Sequence, residues 1–321
     1  MTEVVVVLDG PGSRPRHTKR IAVAALLLAV VLLFPELLPN TPGQLGSLAE
    51  NVLPWFGALI PVLLLWALTR GSPLGVAATL VPLVAWCYVF VPALAGTPRA
   101  GHSEFKALTF NVGGDRTTPE AIAREVIATG ADLVALEKVP VPDMARYKKA
   151  LAGTYHHHAT YNTLGLWSRY ALHDVEAMHL GGSWPHAIRA VAGMPGGDTA
   201  VYAVRLPSVR VRANEGFTIG PRDAAATALA DRIAEDPADR VMLLGDLNGS
   251  VHDRGLAPLA RHLSPAQADA GRGFGFTWPA AFPMVRIDHV LLRGLAPTST
   301  SVLPDLGSDH RPVLTGLRHA A

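Results

Sequence analysis

Three long apolar runs occupy the first third of the chain, and short apolar strands alternating with amphipathic segments fill the rest. Residues 21–38 are apolar except for Glu36, while 52–68 and 73–95 carry no charge. Each run approaches the roughly 20 residues that a helix needs to cross about 30 Å of hydrocarbon. Pro54, Pro61, Pro82 and Pro92 fall within or beside these runs and are compatible with spanning helices whose neighbours satisfy the freed backbone groups. The pattern predicts a three-helix transmembrane region over 21–95. A signal peptide with 14–20 as its basic leader would account for the first run alone, but two more runs follow.

From Phe105 the period changes. Phe105–Val112, Asp132–Val139, Thr163–Ser168, Thr199–Leu206, Arg240–Gly245, Arg286–Leu292 and Ser308–Leu314 read as strands. Thr118-Pro119-Glu120 opens a helix with a threonine cap and proline in its first turn, and Gly130 ends it. The alanine-rich stretch Arg222–Glu235 is a second helix. Many strands with few helices predict two packed sheets with helices outside. The expected organisation is a tail over 1–20, the membrane region over 21–95, a linker over 96–102 and one α/β domain over 103–321.

Charge orients the assembly. Arg14, Arg16, Lys19 and Arg20 lie before the first run and Arg70 between the second and third, whereas 39–51 holds no Lys or Arg. Cytoplasmic loops collect Lys and Arg, so the tail and Arg70 are expected inside and the α/β domain outside, in a multi-pass plasma-membrane protein. Arg99 argues weakly the other way. The chain has 28 basic and 26 acidic residues, and removing the five and four that precede Gly96 leaves 23 against 22. A protein that wraps duplex nucleic acid carries a basic excess, so nucleic acid is not the favoured partner. The one cysteine, Cys87, lies in the third apolar run, which rules out an internal disulfide.

The chemistry sits at strand ends. Asn111 follows Leu-Thr-Phe, Asp246 and Asn248 lie in Gly-Asp-Leu-Asn, Asp288 and His289 in Arg-Ile-Asp-His, and Asp309 and His310 in Ser-Asp-His-Arg-Pro. Asp and Asn also end strands as ordinary turn residues. Four such clusters, each closing an apolar strand, supply oxygen ligands for a hard cation with an imidazole beside them. The triplet His156-His157-His158 reads instead as a solvated strand edge, because no acidic partner is near it in the sequence. Trp278 suits a substrate cleft or the core equally.

The ordered set Thr-Phe-Asn-Val, Ala-Asp-Leu-Val-Ala-Leu, Leu-Trp-Ser-Arg, Gly-Asp-Leu-Asn, Thr-Trp-Pro, Arg-Ile-Asp-His and Ser-Asp-His-Arg-Pro resembles the endonuclease/exonuclease/phosphatase superfamily, which has the DNase I-like fold. The resemblance covers nearly all of 103–321, and the apolar spans ahead of it resemble a membrane-bound bacterial subgroup. It implies a four-layer α/β sandwich that hydrolyses a phosphodiester or phosphomonoester with Mg²⁺ or Mn²⁺. It also implies roles for the matching residues. Asn111 and Asp309 belong near the metal. Asp246 activates the attacking water, Asn248 binds phosphate, and Asp288 orients His310 against the scissile group.

Two positions depart from the family pattern. The second strand normally ends Leu-Gln-Glu, with the glutamate as principal metal ligand; here it ends Leu136-Glu137-Lys138. A Thr-His-Leu type motif is replaced by Val204-Arg205-Leu206. Strand alternation is expected to turn Glu137 away from the site. Three readings follow: a pseudoenzyme that grips phosphate with Lys138 and Arg205, a hydrolase with altered metal dependence, or a local bulge that returns Glu137 to the metal. A position close to the bilayer favours a phosphate- or pyrophosphate-bearing lipid as substrate.

Overall fold

The computed structural model describes residues 14–96, 101–114, 116–181, 185–212 and 216–320. Parts of the expected tail and linker, residues 1–13 and 97–100, lie outside the described residues. The chain divides into two compact units, one of Met1–Pro39 with Val52–Pro92 and the other of Asn40–Asn51 with Ala93–Ala321. Its helices are α1 (Arg14–Leu33), α2 (Leu45–Asn51), α3 (Leu59–Thr69), α4 (Pro73–Ala78), α5 (Leu80–Ala95), α6 (Pro119–Ala128), α7 (Met144–Leu151), α8 (Gly220–Ala234), α9 (Ala257–Ala260) and α10 (Ala266–Ala270).

In the first unit α1 packs against α3 and α4. It buries the stripe Ile21, Ala25, Leu28, Ala29 and Leu32, at the i, i+4, i+7 spacing of one helix face. The outward faces are also apolar: Leu26, Leu27, Val62, Leu65, Val84 and Tyr88 are exposed. Among the described residues, one helix, Pro73–Ala95, is by itself long and apolar enough to cross a membrane. The other two predicted spans take a different form. The α-helix of the first ends at Leu33 and a 3-10 turn follows at Pro35–Leu37. The second is 3-10 over Leu53–Ala58 before eleven α-helical residues. At about 1.5 Å per residue those eleven cover only about half the hydrocarbon.

The second unit is a sandwich. One sheet has the order β13-β14-β1-β2-β4-β3, formed by β1 (Phe105–Asn111), β2 (Leu133–Glu137), β3 (His157–Tyr161), β4 (Leu164–Ser168), β13 (Leu295–Val302) and β14 (Val313–His319). The other has the order β11-β12-β10-β7-β6-β5, formed by β5 (Leu172–His179), β6 (Pro185–Met194), β7 (Gly197–Arg205), β10 (Val241–Asp246), β11 (Ser264–Pro265) and β12 (Asp288–Arg293). The short β8 (Val211–Arg212) and β9 (Gly216–Phe217) pair separately. Each large sheet is mixed: β1 runs parallel to β2 and antiparallel to β14, and β10 runs parallel to β7 and antiparallel to β12.

Alternation along the strands produces three cores. Ala107, Leu133, Ala135, Val201, Met242, Leu244 and Val290 fill the space between the sheets. Leu108, Phe110, Val134 and Leu136 turn the other way, onto α6 and α7. Tyr202, Val204, Leu243 and Leu291 pack beneath α8 and α9. Helices, sheet, sheet and helices make the four layers expected. Thr118 caps α6 by accepting from the Ala121 N–H, and the exposed His156–His158 run leads into the edge strand β3.

Two expectations change. Ser308–Pro312 is a loop, and strand β14 begins at Val313. The Ser308 hydroxyl lies 2.6 Å from the Asn111 carbonyl and 2.7 Å from that of Gly113, which holds the loop against β1. The segment 40–51, read as a loop between spans, folds with the α/β domain.

Candidate active site

The inner faces of the central strands end in polar groups where the intersheet core stops. Asn111 lies in register with Glu137 across β1 and β2. Asp246 lies in register with Arg205 on one side and Asp288 on the other. Registered residues of neighbouring strands share a face. These five therefore point the same way as Ala107, Ala135, Val201, Leu244 and Val290, toward the opposite sheet. His310 and Asp309 arrive from the loop ahead of β14.

Hydrogen bonds join them into one network. The Asn111 Nδ2 donates to Asp246 Oδ2 at 2.8 Å and lies 3.2 Å from His310 Nε2. The Asn248 backbone N–H donates to Asp246 Oδ1 at 2.9 Å, and the Asn248 side-chain amide donates to the Leu206 carbonyl. Asp288 grips His310 Nδ1 at 2.9 and 3.1 Å. Thr277 Oγ1 accepts from the Asp288 N–H, and Ser308 Oγ accepts from the His310 N–H. Both hydroxyls sit in the Thr-Trp-Pro and Ser-Asp-His motifs, whose supporting role the sequence pattern left unread. Gly245 is fixed by packing: a Cβ there would fall 1.9 Å from the Val204 carbonyl oxygen.

The electrostatics separate the titrating groups. Burial, reinforced by the Asp288 charge, pushes Asp246 up to about 6 despite His310 and its hydrogen bonds. Burial opposes a charged His310, but the Asp288 carboxylate, helped by Asp246 and Asp309, outweighs it and raises the imidazole above its ordinary value. A carboxylate pushed up to about 6 beside a histidine whose charged form Asp288 favours is a base–acid pair suited to one reaction.

Glu137 corrects the expected alternation. It faces the site side, fully buried, with Oε1 accepting from Thr109 at 2.8 Å. Its other oxygen, Oε2, has no partner. Burial raises its pKa well above the ordinary range, and Asp288 and Asp246 add to that. Lys138 follows at φ 56°, a left-handed conformation that breaks the strand. Both side chains are thereby directed to the same end of the sheet, with no bulge in the β1–β2 register. Lys138 Nζ reaches Asp309 Oδ2 at 3.5 Å, with both side chains nearly half exposed. Arg205 donates from Nη2 to Ser208 Oγ at 3.2 Å, and its buried Nε has no partner.

Asp246, Asp288 and His310 place ligand atoms within 4.8 Å of one another. With the orphaned Glu137 oxygen and the remaining lone pair of Asn111 Oδ1, which accepts the Gly113 N–H at 3.0 Å, the donor set fits a hard divalent cation, since buried polar atoms rarely lack a partner. Every predicted site residue reaches this end of the sandwich, though Lys138 and Asp309 stand at its exposed margin. Trp278 is 40 % exposed and so does not belong to the core.

Comparison with known proteins shows the family and agrees with the fold. A profile described as "Endonuclease/Exonuclease/phosphatase family" matches residues 108–310. No curated protein matches the chain. Among solved structures, the endonuclease/exonuclease/phosphatase from Bacteroides vulgatus is similar at TM-score 0.55 and 15 % identity, over 67 % of this chain and 99 % of that one. D. rerio TDP2, complexed with single strand DNA product, is similar at TM-score 0.55 and 18 % identity, over 67 % and 98 %. Sphingomyelinase C from Streptomyces griseocarneus is similar at TM-score 0.51 and 20 % identity, over 67 % and 99 %.

Proposed function

Because the chain belongs to the endonuclease/exonuclease/phosphatase family, we propose that it is a membrane-anchored hydrolase that cleaves a phosphoester at the outer surface of the plasma membrane. The observation that carries the chemistry is the network in which Asn111 and the Asn248 N–H hold Asp246 while Asp288 holds His310. Asp246 accepts a proton from the attacking water. Its two oxygens offer more lone pairs than the hydrogen bonds from Asn111 and Asn248 use. His310, kept charged by Asp288, donates toward the oxyanion that develops on phosphorus. Asn248 and the free Arg205 Nε–H contact the phosphate, and a guanidinium suits a tetrahedral oxyanion. Glu137 and Asn111 would hold a divalent cation, Mg²⁺ or Mn²⁺, with Asp309 at the margin. Bound there, the cation would polarise a phosphoryl oxygen and acidify a water.

Anchoring rests on the exposed apolar faces of the first unit, on Pro73–Ala95 and on the placement of Lys and Arg. The shared unit formed by 40–51 and 93–321 supports the same arrangement. Two pieces of one folded domain lie on one side of a bilayer, so the chain between them crosses an even number of times. Crossings by 52–69, where the 3-10 turns at Leu53–Ala58 add about 12 Å to the α-helical length, and by 73–95 satisfy that condition; a crossing by α1 before them would leave the α/β domain outside. The near-neutral charge of the domain favours a lipid-linked phosphate or pyrophosphate over nucleic acid.

The test is hydrolysis by the full chain in detergent with Mg²⁺ or Mn²⁺, read as release of water-soluble headgroup from phospholipids, orthophosphate from lipid pyrophosphates, p-nitrophenol from bis(p-nitrophenyl) phosphate and short fragments from single-stranded DNA. Asp246→Ala and His310→Ala should abolish it. Absence of release from all four classes would refute hydrolysis. The contact between Lys138 and Asp309 favours a second reading, a phosphate-binding protein without turnover, whose binding needs no metal and weakens in Lys138→Ala or Arg205→Ala.

A further inference from the structure

The segment 40–51 carries few features of a plain connector between apolar helices. Ser47, Glu50 and Asn51 are all buried, and their polar atoms turn to residues about two hundred positions later in the chain. Ser47 Oγ donates to Asp253 Oδ1 at 2.8 Å, and Asn51 Nδ2 donates to Asp253 Oδ2 at 2.5 Å. Asn51 Oδ1 accepts the Ser250 N–H at 2.7 Å. Glu50 takes the Arg254 N–H and Nε, each at 2.8 Å. Phe217 N donates to the Gly43 carbonyl at 2.8 Å. Loops ordinarily leave their polar groups to water. Here each is desolvated and paired, which is costly unless the pairing is retained.

The receiving element is the turn that leaves β10. It begins at Asn248, which adopts φ 51°, and runs through Ser250 to Asp253. Arg222, fully buried on α8, clamps the same turn: its Nη1 donates to Asp253 Oδ2 at 2.7 Å and to the Asn248 carbonyl at 3.3 Å. Asp253 therefore accepts from Ser47, Asn51 and Arg222 together. Without segment 40–51, the Ser250 N–H loses its acceptor and Asp253 loses two of its donors. The backbone on either side of Asn248 would then be held from one side only.

We infer that segment 40–51 is a positioning element of the site: Asn51 fixes the Asn248–Asp253 turn and thereby sets where Asn248 meets phosphate. The inference rests on the reading of Asn248 as a phosphate contact. It makes the chain ahead of the third apolar run part of the working domain, so a fragment starting at residue 103 lacks a piece of its own site.

The experiment uses the full chain in detergent micelles, with Asn51→Ala as the variant and Leu45→Ala as the control, because Leu45 is 56 % exposed on the same helix. Hydrogen–deuterium exchange follows the Ser250 amide, and calorimetry measures the Kd for inorganic phosphate. Asn51→Ala should speed Ser250 exchange on the order of tenfold, as loss of a buried hydrogen bond implies. It should also weaken phosphate binding, with a lowered Tm from the unpaired Ser250 N–H and Asp253 oxygen, while Leu45→Ala does neither. Unchanged Ser250 exchange overturns the inference. A lowered Tm with an unaltered phosphate Kd also overturns it, since the contact would then serve stability alone. If Asn51→Ala does not fold, Ser47→Ala replaces it, removing one donor to Asp253; faster exchange across 248–254 is expected, and no change overturns the inference. If the parent chain neither binds nor cleaves phosphate compounds, the proposed function fails by itself, and Ser250 exchange still decides whether Asn51 holds the turn.

Discussion

Lys138→Glu places a carboxylate where this chain carries an ammonium, and the structure sets the size of the effect. The Lys138 stem passes over Gly113, where an added Cβ would fall 2.2 Å from Lys138 Cδ. Its Nζ lies 3.5 Å from Asp309 Oδ2, with side chains 43 % and 48 % exposed. So exposed a pair contributes on the order of 0–1 kcal/mol, and the variant should fold with little change in Tm. The effect on a cation is larger. If a divalent cation were held by Glu137 and Asn111 at an assumed separation of about 5 Å in water-like surroundings, one unit charge against it would be worth about 1.7 kcal/mol. Exchanging a positive for a negative charge counts that twice, about 3 kcal/mol, or roughly 10²-fold in Kd at low salt. Physiological salt trims this toward about tenfold. Calorimetric titration of Mn²⁺ and Mg²⁺ into the full chain reads it directly, with Lys138→Gln expected midway. An Mn²⁺ Kd unchanged within about threefold in a folded variant would show that Lys138 stands away from the cation, and the electrostatic argument would be wrong.

Asp288→Asn removes both the support of the His310 charge and a like charge beside Asp246. The pH–rate profile should start as a bell whose acid limb lies near pH 6, and both limbs should move to lower pH in the variant. Glu137→Gln tests the buried carboxyl. Burial favours the neutral form of Glu137 in the fold, while the unfolded chain ionises above about pH 4.3. Its raised pKa therefore favours the fold below that pH and is lost as pH rises toward the folded value. The variant should raise Tm at pH 8 more than at pH 4 in the absence of metal, and weaken Mn²⁺ binding by tenfold or so. Asp236→Ala removes a carboxylate, 1 % exposed, that Arg189 grips at 2.7 Å and Tyr202 also contacts. It should cost about 3 kcal/mol in urea unfolding, because the guanidinium and phenol lose their partner. Burial works against this carboxylate, yet Arg189 and Tyr202 hold it down at about 2. Its contribution is present above about pH 3.9 and fades as pH falls toward 2, which acid titration of the parent chain should show.

Strands β1, β2, β4, β7 and β10 were legible because each is a short apolar run closed by a polar residue or a turn. The strands that escaped have weaker patterns. β5 is a polar edge strand with Glu176 and His179 exposed. β13 contains Pro297 and a register shift after it, and β6 is built largely on small residues that mark no period. The segment 308–312 is a loop rather than a strand because its hydrogen bonds go to scattered partners, Asn111, Gly113, Thr277 and Ala280, and not to one neighbouring strand.

By itself the sequence marked Asn111, Asp246 and Asp288 as candidates, since an apolar strand bounded by Asp or Asn places a polar group at the edge of a core whatever the fold around it. It also marked the apolar helices of the first unit. Only the tertiary structure decided where Glu137 and Lys138 face, because that depends on the β1–β2 register and on one left-handed residue, neither of which a periodicity records. Only the tertiary structure, too, joined Asn51 to Ser250 and Asp253. Contacts between positions so distant in the chain leave no local signal, because the residue types involved are equally at home in a solvated loop.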